Sequence, residues 1–269
     1  MNTIAFIGGG NMASAIIGGL LKAGRAPGDL LVLEPNAEQR SRLQRELGVI
    51  TLEAPGSVLQ RAQCVVWAIK PQNFSAAASA CVAQVAHAVQ FSVMAGIRSD
   101  AMAKALGTER IVRAMPNTPA LIGQGIAGLY ARPAVTADER QEAERLLAPT
   151  GRTLWVGAEA DLDAVTALSG SGPAYVFYFI EAMVQAAEEM GLSPDQGLQL
   201  ALATFAGATA LAQASSDTPA VLRERVTSKG GTTHAALSVL ERDGVKDAFI
   251  RALKAAQRRA VELGREFGG

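Results

Sequence analysis

What this sequence lacks is as telling as what it holds. It has no excess of either charge: Lys and Arg number 25 and Asp and Glu 25 in 269 residues. No basic face for a phosphate backbone is implied, so nucleic acid is not expected as a partner. Cysteine is almost missing. Cys64 and Cys81 are too few for a disulfide framework, and their apolar surroundings predict buried thiols in a reducing compartment. Histidine occurs only as His87 and His234, so no obvious general acid stands out. Charge is also missing locally, with no Asp, Glu, Lys or Arg from Pro71 to Ile97. A membrane span needs about twenty predominantly apolar residues. This stretch carries Gln72, Asn73, Gln84, His87 and Gln90, so it reads as a helix plus a buried strand. The first residues read as strand rather than as a targeting segment, and a cytoplasmic protein with no membrane partner is expected.

What is present is concentrated near the start. The apolar run Ile4–Ile7 is followed by Gly8-Gly9-Gly10-Asn11-Met12-Ala13, and then by the helix-like stretch Ser14–Lys22. A strand, a glycine turn and a helix in that order give Gly8-x-Gly10-x-x-Ala13 the context of a dinucleotide site. Gly8 makes the tight turn, Gly10 lets the backbone approach a pyrophosphate, and Ala13 lets helix and strand pack closely. The helix N-terminus offers N–H groups and a positive dipole end. The alternative is an ordinary glycine-rich turn. Glu34 ends a second strand about twenty residues later, where an acid accepts the ribose 2′-OH.

The remaining order is regular. Helix Asn36–Leu47 precedes strand Cys64–Lys70, helix Gln72–Ala86, strand Val89–Ala95 and strand Arg110–Met115. Strands alternating with helices predict an α/β fold with a doubly wound parallel sheet. Met115-Pro116-Asn117-Thr118-Pro119 cannot run as helix through its two prolines. Strands Ile126–Tyr130 and Thr153–Val156 flank helix Thr136–Leu147. After Val156 no convincing strand follows, which predicts a dinucleotide-binding domain over 1–160 and an all-helical domain over 161–269. A helical region starts at Asp161–Leu168 and is interrupted by Leu168-Ser169-Gly170-Ser171-Gly172-Pro173. Long helices follow at Ala174–Met190, stopped by Gly191, and at Pro194–Ala214. They are apolar enough to suggest a subunit interface. Val221–Val226, Ala235–Glu241 and Lys246–Phe267 complete the set.

Two stretches in the helical part carry chemical content: Ser169–Tyr175, SGSGPAY, and Val226–Leu237, VTSKGGTTHAAL. Each places glycines and hydroxyls before a helix, which suits a carboxylate. Each also fits a capped helix start. Together with IGGGNMASAI, AIKPQ at Ala68–Gln72, MAG at Met94–Gly96 and RAMPNTPA at Arg113–Ala120, they make the chain resemble the pyrroline-5-carboxylate reductase family over its whole length.

That resemblance implies a Rossmann-type domain followed by a helical dimerisation domain, as a homo-oligomer of dimers or rings of dimers. It implies NADPH or NADH as cofactor, no metal, and reduction of the C=N bond of 1-pyrroline-5-carboxylate to L-proline. Gly8, Gly10, Asn11, Met12 and Ala13 would hold the pyrophosphate. Ala68, Ile69, Lys70 and Pro71 would run beside the cofactor, and Ala95 and Gly96 would approach the nicotinamide. Ser171, Ser228, Gly230, Gly231, Thr232 and Thr233 would hold the substrate. The chain departs from the family at Glu34-Pro35, where many relatives carry Asn or Ser with a nearby Arg. It departs also at Pro55-Gly56, where an Asn is common, and at Lys229, where Pro is common. Glu34 leans the cofactor preference toward NADH.

Imine reduction leaves the reducing power to the cofactor and orientation to the protein. Thr233 is the expected catalytic group, as hydrogen-bond partner of the ring nitrogen and proton relay, with a helix cap as the alternative. Lys70 and Lys229 would help electrostatically. His87 is expected to be structural and His234 to face away. Two other readings stand beside this one. A β-hydroxyacid type of dehydrogenase would carry a Lys on the long helix, and Ala174–Met190 has no Lys or Arg. A non-enzymatic dinucleotide-binding regulator would not need VTSKGGTT.

Overall fold

The computed structural model describes residues 3–267. The chain divides into two compact units. One runs up to Gly172 and includes the chain from Ala255 on; the other is Pro173–Lys254.

The first unit is built on eight strands: β1 Thr3–Ile7, β2 Leu30–Leu33, β3 Ile50–Leu52, β4 Ala62–Trp67, β5 Val89–Ser92, β6 Ile111–Met115, β7 Gly125–Ala131 and β8 Gly151–Trp155. Their order is β3-β2-β1-β4-β5-β6-β7-β8. Strand addition reverses between β1 and β4, and ligands of such sheets bind beyond the carboxyl ends at that point. The pairs from β3 through β6 are parallel. The expected all-parallel sheet is corrected at its far edge, where β7 runs antiparallel to β6 and β8 parallel to β7. Residues 116–124 join β6 to β7, and a parallel crossover takes a dozen residues or more. Within that connection a 3-10 turn forms over Thr118–Ile122, with Pro119 in its first turn.

Alternation along the strands sorts the core into two faces. Ile4, Phe6, Leu30, Val32 and Val66 pack with α1 (Asn11–Lys22), α2 (Ala37–Leu47) and α5 (Ala137–Leu147). Ala5, Ile7, Leu31, Leu33, Val65 and Trp67 pack with α3 (Phe74–Val85) and α4 (Ser99–Leu106). Both faces of the sheet are therefore covered, as the continuous apolar strands require. The short β3 and helix α4 were not expected from the sequence. β4 and β5 stop sooner than expected, which leaves Ala68–Lys70 and Ala95 in loops. Asn36 is not in α2 but caps it, accepting from the Gln39 N–H at 2.9 Å. Cys81 is buried in α3, whereas Cys64 is only half-buried. Among the described residues no helix is long and apolar enough to cross a membrane.

The expected break after Leu168 is absent. Helix α6 (Asp161–Val165) passes into a π turn over Thr166–Gly170 and on into α7 (Gly172–Glu189). The Ser171 N–H donates to the Thr166 carbonyl at 2.8 Å, the wider spacing of a π turn. The division into two compact units falls at Gly172, at the start of α7. Beyond it lie α8 (Pro194–Ala214), α9 (Pro219–Arg225), α10 (Thr232–Arg242) and α11 (Val245–Phe267). Tyr175 and Phe179 of α7 meet Phe249 of α11 edge-on, with ring centres 5.6 and 5.8 Å apart. Along α8 only Gly197 and Ala201 are buried in the single chain.

Candidate active site

The glycine turn sits at the carboxyl end of β1, between β2 and β4. The Gly8 N–H donates to the Leu33 carbonyl at 2.8 Å, and the Ile7 carbonyl accepts from the Ala68 N–H at 2.9 Å. Gly8 has φ +97°, and a Cβ there would lie 2.6 Å from both the Ala68 carbonyl oxygen and Ile69 Cγ2. Only glycine fits that place. At Gly10 the opposite holds, since a Cβ would meet nothing within 4 Å. The open side of the turn has room for a phosphate. Gly10 is the N-cap of α1 and supplies no side chain, and no acid lies in the first turn. The first intrahelical bond runs from Ser14 N–H to Gly10 carbonyl at 2.9 Å. That leaves the N–H groups of Asn11, Met12 and Ala13 without an intrahelical partner. Asn11 is exposed, Met12 half-buried and Ala13 fully buried.

Some of the other expected residues contact this turn, and the rest lie in the segments after β4, β5 and α6. The Glu34 carboxylate accepts from Gly9 N–H at 3.0 Å and from Asn36 N–H at 2.9 Å. Ala68 and Ile69 approach Gly8 from the loop after β4, and Lys70 and Pro71 continue that loop with Lys70 exposed. Ala95 and Gly96 lie in the loop after β5, in which the Val93 N–H donates to the Trp67 carbonyl at 3.1 Å. Gly96 takes φ +76° between the buried Met94 and Ile97. Gly9, its carbonyl accepting from the Gln39 amide, draws α2 onto the same turn. The sequence reading missed Gln39; its place three residues after Asn36 was the available signal. Ser171 lies half-buried at the end of the π turn, beside Gly170, whose Cβ position would be 2.7 Å from Met115 Cε.

The second group lies wholly in the other unit. The Gly231 N–H donates to the Ser228 carbonyl at 3.0 Å, and Gly230 has φ +76°. A Cβ at Gly231 would lie 2.5 Å from Ser228 Oγ. This turn brings Ser228, Gly230, Gly231 and Thr232 to the start of α10. Gly231 is the N-cap, without a side-chain cap and without an acid in the first turn. The first intrahelical bond joins Ala235 N–H to the Gly231 carbonyl at 3.1 Å. The N–H groups of Thr232, Thr233 and His234 thus lack an intrahelical partner. Thr233 is half-buried and His234 exposed. His87 is also exposed, and its carbonyl accepts from Arg110 at 2.9 Å.

The cysteines take no part. Burial pushes the Cys64 thiol up to about 12, with the Glu142 carboxylate adding to the shift, and burial lifts Cys81 to about 11. Both stay protonated at neutral pH and are poor nucleophiles.

The family model for pyrroline-5-carboxylate reductase dimerisation matches residues 159–263, and that for NADP oxidoreductase, coenzyme F420-dependent, matches residues 3–96. The pyrroline-5-carboxylate reductase of Pseudomonas aeruginosa is 42% identical over 267 residues, which is 98% of each chain. The chain belongs to the pyrroline-5-carboxylate reductase family. The solved structure of the pyrroline-5-carboxylate reductase from Coxiella burnetii is 36% identical, with a TM-score of 0.90 over 97% of this chain and 98% of that one. The Plasmodium falciparum pyrroline carboxylate reductase, solved with NADP bound, is 25% identical with a TM-score of 0.87 over 98% of each. Membership in the pyrroline-5-carboxylate reductase family agrees with α7, which carries no Lys or Arg where a β-hydroxyacid dehydrogenase type would place a Lys.

Proposed function

We propose that this chain reduces the C=N bond of 1-pyrroline-5-carboxylate to L-proline, using NADH or NADPH. One observation carries the reading. Helices α1 and α10 both open on a glycine, with no side-chain cap and no acid in the first turn. By contrast α2, α5, α8 and α9 are each capped by Asn36, Thr136, Ser193 and Thr218. Helix α3 also lacks a side-chain cap and a first-turn acid, but the 3-10 turn Pro71–Asn73 leads into it. The two starts that open on glycine are the anion sites, one for a pyrophosphate and one for the substrate carboxylate.

The nicotinamide, when bound, supplies the hydride. The chain's own residues bind and orient. Gly10, Asn11, Met12 and Ala13 hold the pyrophosphate through backbone N–H groups. Gly8 lets the turn close against Ala68 and Ile69, while Lys70, Pro71, Ala95 and Gly96 line the cofactor. Glu34 accepts from the ribose hydroxyls and disfavours a 2′-phosphate, so NADH serves at least as well as NADPH. Ser171, Ser228, Gly230, Gly231 and Thr232 hold the carboxylate and ring. The Thr233 hydroxyl bonds the ring nitrogen and relays its proton.

Function divides the chain into a dinucleotide domain over 1–160 and a substrate and pairing domain over 161–269. Two copies pair through the second, and we extend this to rings of dimers acting in the cytoplasm. The test is direct. NADH or NADPH mixed with the protein and pyrroline-5-carboxylate loses its nicotinamide absorbance, and proline accumulates. Failure of both cofactors overturns the reading.

A further inference from the structure

Arg98 and Ser99 come directly after the Ala95–Gly96 loop, and both are held by acids at the start of α6. Arg98 Nη2 donates to Asp163 Oδ2 at 3.0 Å. The Ser99 N–H donates to Glu159 Oε1 at 2.6 Å, and its hydroxyl to Glu159 Oε2 at 2.7 Å. The buried Arg113 donates to the same Glu159 Oε1 at 2.7 Å. Arg98 has a further neighbour. A Cβ built at Gly264 of α11 would lie 3.0 Å from Arg98 Nε and 3.1 Å from Nη2. The guanidinium therefore rests on the backbone of the last turns of α11, where the negative end of the helix dipole favours a cation.

Three segments meet at this one side chain: the loop after β5, helix α6 and the end of α11. Only Ile97 separates Gly96 from Arg98, and Ile97 is anchored in the core. Helix α6 runs on through the π turn to Ser171.

We infer that Arg98 is a positioning residue for hydride transfer, setting the Ala95–Gly96 loop against α6 and α11. This rests on the reading that Ala95 and Gly96 lie beside the nicotinamide. Its consequence is specific. Moving the guanidinium misaligns the loop without removing any group that binds substrate, so kcat falls while KM stays.

Gly264→Ala tests this with a gentle change. Alanine is the better helix former, so the thermal midpoint holds or rises. Its methyl presses on the Arg98 guanidinium, which must shift. We expect kcat to fall a few-fold, since a misplacement of about 1 Å far from the chemistry can cost about a hundredfold and this Cβ moves the guanidinium by only a few tenths of an ångström. KM for pyrroline-5-carboxylate stays within about twofold, and cofactor deuterated at the transferred position shows a larger isotope effect on kcat. Arg98→Ala, if folded, lowers kcat further at unchanged KM. An unchanged kcat in Gly264→Ala, or a fall that tracks a lowered midpoint, overturns the inference. A wild type that does not turn over pyrroline-5-carboxylate instead removes the functional reading, and the inference with it.

Discussion

The Glu34 carboxylate accepts a hydrogen bond from the Gly9 N–H at 3.0 Å. The end of β2 is thereby fastened to the middle of the glycine turn, and the proposed function gives this acid the ribose hydroxyls of a dinucleotide. A cation beside Glu34, Arg40, is already engaged. Arg40 donates to the carbonyls of Glu34 and Pro35 at 2.9 and 2.7 Å, and to Glu53 at 3.1 Å.

Cofactor choice follows from that arrangement. Wild-type protein should use NADH at least as well as NADPH, and Glu34→Ser should move the preference toward NADPH. The ratio of kcat/KM for the two cofactors measures it. A wild type preferring NADPH about tenfold or more, equivalent to about 1.4 kcal/mol, refutes this role for Glu34.

Thr233 is the second position of α10, and Gly231 is its cap. Thr233→Val keeps the shape and deletes the hydroxyl. A hydrogen bond to a charged or charging group is worth about 1.5–3 kcal/mol, so kcat should fall roughly ten- to two-hundredfold. The thermal midpoint should hardly move. Wild-type kcat with a lowered midpoint would make Thr233 structural, leaving water to supply the proton.

Assembly is legible in what the single chain leaves uncovered. Phe177, Tyr178, Met190, Leu200 and Leu211 are each more than half exposed, and apolar surface on this scale marks an interface. Light scattering at micromolar concentration should give at least twice the mass of one chain. A mass of one chain refutes pairing.

Glu139 gives a pH-dependent term. Burial opposes its ionisation, but hydrogen bonds from Arg110 and Thr136 outweigh burial and hold its carboxyl below the usual range. A depressed folded value means stability present above the unfolded value and lost as pH falls through the folded one. Glu139→Gln keeps the reciprocal cap with Thr136 and removes the ion pair with Arg110. Arg110 is 44% exposed, so the loss at pH 7 should be at most about 1 kcal/mol. Urea unfolding should show that gap closing in acid below the carboxylate range. A gap of equal size at both pH values would assign the loss to packing.

The sequence by itself determined the glycine turn, the apolar strands around it and the long helices beyond Pro173. Each of these is written in neighbours a few residues apart: an unbroken apolar run in β1, Gly8 and Gly10 at fixed spacing, Pro194 after Ser193. The open start of α10 was legible as residues, since GGTT is local, but that Gly231 rather than a threonine caps it needed backbone geometry. Only the tertiary structure decided what depends on partners far along the chain. The three residues of β3 are half exposed and become a strand only by pairing with β2. The direction of β7 is set by the short path back from β6. Arg113 looks out of place in the strand IVRAM until Glu159 arrives from the start of α6 to share its charge. Likewise nothing near Gly264 in sequence marks it as the floor beneath Arg98. Local pattern fixes what a segment can become, while a buried charge or a close backbone approach is fixed only by the segment that folds against it.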